Sequence, residues 1–164
     1  TTIDLTTLPF IPNFDIDVTR KVLVTPGEEP CPITYSTSDY ETRRDYVKEI
    51  KDPIFKYTLV HSTPKEGTRY MYSSRNDKGH FGISKVIFGE SGIYDVIIDM
   101  KGQYGMTQHA MAIKVTSLTE AQNIKKALMS PKFKTFLAAN SWSNFRIDWR
   151  LFTYLRKDFW KTFV

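Results

Sequence analysis

The chain has 164 residues and a formal net charge of +5, with 41% hydrophobic and 25% charged residues. This length fits one domain, and the composition is too apolar for a disordered chain. No apolar run approaches the roughly 20 residues that cross a bilayer, so we expect no membrane partner. The single cysteine, Cys31, excludes an internal disulfide and a zinc site made of several thiolates.

Charge is unevenly distributed along the chain. The first 40 residues are net acidic, the remainder is strongly basic, and all three tryptophans lie in the basic C-terminal part. A basic surface interleaved with aromatic residues favours a polyanionic partner, nucleic acid above all. A basic surface that only confers solubility is the alternative. The sequence opens on Thr1 without an initiator methionine or a targeting pattern, so we expect a domain excised from a cytoplasmic, intracellular protein of microbial or viral type.

The first half of the chain predicts an irregular start and then a sheet. Prolines interrupt short apolar pieces in residues 1–32, which indicates a lead-in or linker before a domain at 33–164. A helix is predicted over residues 40–50, where apolar side chains recur on one side. Short apolar and aromatic runs bounded by turn residues then predict strands. These runs are 55–60, 69–73, 85–88, 94–99 and 110–115.

The last third of the chain predicts packed helices. Ser117 and Glu120 form a capping box at the start of one helix, and Ser130-Pro131 ends it and begins another. Asp148 and Asp158 are candidate caps of short C-terminal helices. The predicted fold class is therefore α+β, with a mostly antiparallel sheet over about residues 54–115 followed by packed helices over about residues 117–163.

One catalytic motif is present, while many others are absent. The sequence has no phosphate-binding loop, dinucleotide-binding glycine pattern, nucleophile elbow or paired-histidine zinc motif. Asp99 and Lys101 form an Asp-x-Lys strand end that resembles the magnesium-dependent nucleases of the restriction-enzyme superfamily. In that alternative, Glu90 or Asp77 supplies the second carboxylate, and the metal neutralises the charge that develops on phosphate.

Two polar, glycine-bearing loops and one aromatic segment carry the side-chain types that contact DNA. Arginine and lysine suit guanine or phosphate, and asparagine and glutamine suit adenine. The candidate DNA-binding residues are Arg75, Asn76, Lys78, His80 and Lys85, then Lys101, Gln103, Tyr104, Gln108 and His109, and finally Trp142, Ser143 and Arg146. Ordinary hairpin loops are the structural alternative.

The order of these segments resembles the specificity, or target-recognition, domain of adenine-specific DNA methyltransferases of restriction–modification systems. The resemblance covers residues 33–164 and rests on the phrases Ser84-Lys85-Val86-Ile87, Gly102-Gln103-Tyr104-Gly105 and Ala127-Leu128-Met129-Ser130-Pro131-Lys132-Phe133. It implies a module that holds double-stranded DNA and selects the sequence. A separate catalytic domain of the same chain then flips out and methylates adenine.

The catalytic phrase and the cofactor-binding glycine motif of that family do not occur in this sequence. The resemblance therefore implies a fragment with neither catalytic activity nor a cofactor of its own. Its parent would be a DNA adenine methyltransferase, with or without endonuclease activity. That enzyme would use S-adenosylmethionine as a cofactor, and the resemblance leaves open whether it also uses magnesium. A protein-interaction module, whose aromatic residues form a partner interface, is the remaining alternative.

Overall fold

Two four-stranded sheets form the centre of the computed structural model, which describes residues 20–35, 39–78, 80–139 and 147–164. The first sheet is antiparallel throughout. Its strands, in spatial order, are β1 (Ile33–Tyr35), β8 (Ala110–Lys114), β5 (Lys85–Gly89) and β6 (Gly92–Asp99). The second sheet has the order β2 (Val47–Lys48), β4 (Arg69–Ser73), β3 (Tyr57–Ser62) and β7 (Gly105–Met106), and only its β3–β7 pair is parallel.

Helices follow the strands in the chain and cover one face of the first sheet. They are α1 (Leu118–Leu128), α2 (Pro131–Ala139), α3 (Trp149–Thr153) and a 3-10 turn at Phe159–Thr162. The predicted α+β class, with a mostly antiparallel sheet followed by packed helices, is confirmed. Within the described part of the chain, no helix combines the length and the apolar character that a membrane crossing demands.

Side chains of the first sheet alternate between the helices and the second sheet. On β5, Val86 and Phe88 belong to the core cluster shared with the helices, whereas Ile87 packs towards the second sheet. The side chains of β8 alternate between the same two clusters, because successive side chains of a strand point to opposite faces. The first sheet is therefore the middle layer, between the helices and the second sheet.

The two sheets are in close backbone contact at Gly89. A Cβ atom at this position would lie 2.8 Å from the backbone nitrogen of Thr63 and 2.9 Å from Cα of Ser62. The Thr63 hydroxyl accepts the Gly89 N–H at 2.9 Å and donates to the Gly92 carbonyl at 2.7 Å. Glycine is needed here because any side chain would occupy the space of the neighbouring backbone.

The predicted helix caps form at Ser117 and Asp148, whereas the Asp158 side chain makes no hydrogen bond at the start of the 3-10 turn. The Ser117 hydroxyl accepts the Glu120 N–H at 3.1 Å, while the Glu120 carboxylate accepts the N–H of Thr116 at 3.0 Å. The carboxylate of Asp148 accepts the Arg150 N–H at 2.9 Å. These side chains satisfy N–H groups at helix starts that have no partner within the helix.

Residues 20–32, which fall in the predicted lead-in, pack against the helical layer. Val22 is fully buried and Cys31 is 4% exposed, both in the core cluster of the helices. Leu23 forms a β-bridge with Leu155. Burial raises the pKa of the Cys31 thiol, which keeps it protonated and unreactive.

The helix predicted over residues 40–50 is wrong. The segment consists of turns and the short strand β2, and it covers the outer face of the second sheet. Tyr40 is fully buried there with Leu59 and Met71. Thr42 is held by Gln108, 66 residues away. These contacts with distant residues override a weak helical periodicity.

Candidate nucleic-acid interface

A buried ion pair joins the two loops that carry most of the candidate DNA-binding residues. Nζ of Lys85 lies 2.8 Å from Oδ2 of Asp99, and the two residues are 0% and 3% exposed. They face each other across the β5–β6 ladder. Burial lowers the pKa of Lys85, and the hydrogen bond and negative charge of Asp99 oppose this shift. The pair is therefore a structural connection inside the fold.

The same ion pair holds the backbone of both loops. Nζ of Lys85 also donates to the carbonyls of His80 at 2.8 Å and Ile83 at 3.2 Å. The Asp99 carboxylate accepts the N–H of Gln103 at 2.8 Å and of Tyr104 at 3.0 Å. We refer to residues 74–78, 80–84 and 100–104 together as the loop pair.

The two backbones of the loop pair are in direct contact at two glycines. Gly82 donates its N–H to the Gly102 carbonyl at 2.9 Å. Gly102 has a φ of +66°, and a Cβ atom there would lie 2.4 Å from Cα of Gly82. Both the conformation and the space require glycine. The structure thus brings together two loops whose proximity the sequence alone could only suggest.

Tyr40 and Tyr46 hold the first loop from the outer side of the second sheet. The Tyr40 hydroxyl donates to the Lys78 carbonyl and accepts the Lys78 N–H, both at 3.0 Å, and burial raises the pKa of Tyr40 to about 12. The Arg75 guanidinium lies 5.3 Å from the ring centre of Tyr46. Arg75 also donates two 2.7 Å hydrogen bonds to Asp77, which lower the pKa of that carboxyl to about 2.

Four candidate residues of the loop pair point into solvent. Asn76, Lys78, Lys101 and Gln103 are exposed. Within the described ranges, neither lysine lies within ion-pairing distance of a carboxylate. Tyr104 is half-buried and stacks on Tyr70, with ring centres 6.3 Å apart. Two cations and two amide side chains therefore remain exposed on the two adjoining loops.

Two other candidates of this region are bound inside the protein. Lys85 has no exposed surface and is committed to Asp99. His80 is half-buried, and its ring hydrogen-bonds the Thr34 hydroxyl and the Tyr35 carbonyl, both at 3.2 Å. In this structure neither side chain is available to a phosphate or a base.

Gln108 and His109 lie away from the loop pair. The Gln108 amide is bound to Thr42, and Nδ1 of His109 lies 2.9 Å from Oε1 of Glu90. Glu90 follows the end of β5 opposite to Lys85, five residues and about 17 Å along an extended strand. Candidates Trp142, Ser143 and Arg146 lie outside the described residues.

The structure does not bring the residues of the nuclease alternative together. Both Asp99 oxygens accept hydrogen bonds from Lys85 or from loop backbone, whereas Lys101 is exposed. Glu90 belongs to the opposite end of the β5–β6 hairpin, and Asp77 is bound to Arg75. Across the residues that are described, no three His, Cys, Asp or Glu side chains are arranged to hold a metal ion.

A second candidate site is an open cavity of about 760 Å³ near the C-terminal end of β3. We call it the histidine cavity. His61 and His109 line it, with ring centres 5.0 Å apart and ring planes at 81°. The sequence offered no reason to pair these histidines, which are 48 positions apart. The other lining residues are Thr42, Lys48, Glu49, Ile50 and Met71.

Burial of His61 and His80 makes stability depend on pH. Burial lowers the pKa of each below 6.5, and for His61 the neighbouring His109 lowers it further. Between about pH 6.5 and these lower values, the unfolded chain binds more protons than the folded one. Stability should therefore be lost as pH falls through this window, and His61→Gln should reduce the loss. Urea unfolding midpoints at pH 7.5 and 5.5 measure it, and an equal shift in both proteins would contradict the assignment.

Comparison with known proteins gives no relative. No protein-family model, curated protein or solved structure matches the chain.

Proposed function

We propose that this chain is the target-recognition module of a restriction–modification adenine methyltransferase and has no catalytic activity of its own. The carrying observation is the buried Lys85–Asp99 pair, which fixes two loops side by side and leaves Lys78 and Lys101 exposed without carboxylate partners among the described residues. The sequence resemblance supports the same function. In this proposal the partners are double-stranded DNA and a catalytic domain of the same chain, which binds S-adenosylmethionine, in the cytoplasm of a microbial or virus-infected cell.

The chemistry of the loop pair suits this division of labour. Lysine side chains that have no protein partner can neutralise phosphates, which gives affinity with little dependence on sequence. Asn76 and Gln103, also exposed, carry amides that pair with an adenine edge in the major groove. Their loops are held by a buried ion pair, so less conformational entropy is lost when they bind.

Salt dependence is the first test of this function. We expect the chain to bind duplex DNA with an affinity that falls steeply as salt rises, and to cleave or methylate nothing. Each phosphate-bound lysine contributes about one unit to the slope of log K against log salt. The variant Lys78→Ala/Lys101→Ala should therefore lower that slope by about two. Gel shifts at several salt concentrations with unlabelled plasmid competitor measure it.

The matched control is Lys132→Ala, another exposed lysine, on helix α2. It should leave both affinity and slope unchanged. A DNA affinity that does not change with salt concentration, or no DNA binding at all, would contradict the proposal. Magnesium-dependent nicking of plasmid that disappears in Asp99→Ala would favour a nuclease instead.

A further inference from the structure

In the histidine cavity, two imidazole nitrogens have no hydrogen-bond partner among the described residues. Nδ1 of His61 lies 2.9 Å from the Thr107 hydroxyl, and Nδ1 of His109 lies 2.9 Å from the Glu90 carboxylate. No residue of the described ranges hydrogen-bonds Nε2 of either ring. Both rings line the cavity together with Glu49, so their Nε2 atoms are two of the polar groups that a ligand can contact there.

The buried hydroxyl of Thr107 fixes the proton of His61. Thr107 is fully buried, and its oxygen accepts the backbone N–H of His109 at 3.3 Å. Within the described structure, Nδ1 of His61 is the only acceptor in reach of the Thr107 hydroxyl proton. A buried donor without an acceptor is unfavourable, so Thr107 donates to Nδ1. Neutral His61 then carries its proton on Nε2, where it is a donor.

The carboxylate of Glu90 fixes His109 in the opposite way. An ionised carboxylate only accepts, so Nδ1 of His109 must donate to Oε1 of Glu90. In the neutral ring, Nε2 of His109 then has a lone pair and no proton, and it is an acceptor. The cavity therefore holds one hydrogen-bond donor and one acceptor on rings whose centres are 5.0 Å apart.

We infer that His61 and His109 together read the major-groove edge of one adenine in the recognised DNA. Adenine presents the acceptor N7 beside the donor N6 amino group, so N7 accepts from His61 Nε2 while the amino group donates to His109 Nε2. Guanine presents two acceptors, thymine an acceptor and a methyl group, and cytosine a donor alone. Among single bases, only adenine matches both histidines. This inference rests on the proposed function and names two of its specificity-determining residues.

Modified bases test each contact separately. The recognised sequence is first selected from a random duplex library with the 164-residue chain. Each adenine in it is then replaced by 7-deazaadenine, which lacks N7, or by purine, which lacks the amino group. At one position, both replacements should weaken binding of the unmodified protein about ten- to a hundredfold. His61→Ala should become insensitive to 7-deazaadenine, and His109→Ala to purine.

The control variant is Ile54→Ala, which removes an exposed apolar side chain that does not line the histidine cavity. It should respond to both modified bases as the unmodified protein does. If an alanine variant unfolds, His61→Phe and His109→Phe keep a ring without nitrogens and take its place. A recognised sequence without adenine, or variants that remain sensitive to both modified bases, overturns this inference and leaves the recognition module standing. Absence of all DNA binding overturns the proposed function itself.

Discussion

Replacing Lys85 by methionine should lower the free energy of unfolding by about 3–5 kcal/mol, the usual cost of removing one partner of a buried ion pair. Methionine fills much of the same space but leaves the Asp99 carboxylate charged and 3% exposed. It also removes the two hydrogen bonds to the carbonyls of His80 and Ile83. Urea unfolding at pH 7.5, followed by circular dichroism, measures the change.

The matched control for this prediction is Lys101→Met, an exposed lysine two residues after Asp99. It should change the free energy of unfolding by less than about 0.5 kcal/mol. The double variant Lys85→Met/Asp99→Leu should lose less than the sum of the two single changes, because it leaves no uncompensated charge. A Lys85→Met variant as stable as Lys101→Met would show that the pair does not hold the loops.

The strands could be predicted from local sequence because their pattern is local. Short apolar and aromatic runs bounded by turn residues occur at all five predicted strands, and the structure has β3, β4, β5, β6 and β8 there. The capping box at Ser117 is also a local feature and forms as expected. The helix prediction for residues 40–50 was wrong because their conformation depends on Gln108 and on the first loop, which are distant in sequence.

The role of Lys85 could not be predicted because the strand register is irregular. Gly89 faces Gly92, and a regular ladder extended from this pair would set Lys85 opposite Val96. A shift between Ile87 and Gly89 sets it opposite Asp99 instead. Residue types alone therefore predicted that Lys85 contacts phosphate and that Asp99 holds a metal. In the structure the two residues form an ion pair inside the protein. A one-residue slip exchanges the faces of a strand, so register decides which chemistry is exposed.

The pairing of His61 with His109 depends on contacts between distant segments. Strand β7 runs parallel to β3, with Val60 opposite Met106, and this sets Thr107 beside His61. Strands this short carry little periodicity, and β7 has only two residues. Thr107 then positions both histidines, since its oxygen also accepts the N–H of His109. Such a site follows from topology and has no sequence motif.

Replacing Phe133 by alanine should have the other large effect, a loss of about 3–5 kcal/mol in the free energy of unfolding. Phe133 is fully buried, and four phenylalanine rings surround it with centres at 5.0 to 6.1 Å. Three helical segments contribute these rings, so a cavity at Phe133 loosens the whole helical layer. Phe133→Leu, which leaves a smaller cavity, should cost less than the alanine variant, and urea unfolding ranks the two.

DNA affinity separates this prediction from the one on Lys85. The loop pair is held by Lys85 and Asp99 at the strand ends, whereas Phe133 packs against the opposite, helical face of the first sheet. At a temperature where both variants are folded, Phe133→Ala should bind DNA as the unmodified chain does. Lys85→Met should bind more weakly because its loops are no longer fixed. Equal weakening in both would mean that overall stability governs binding, and the loop pair would lose its distinct role.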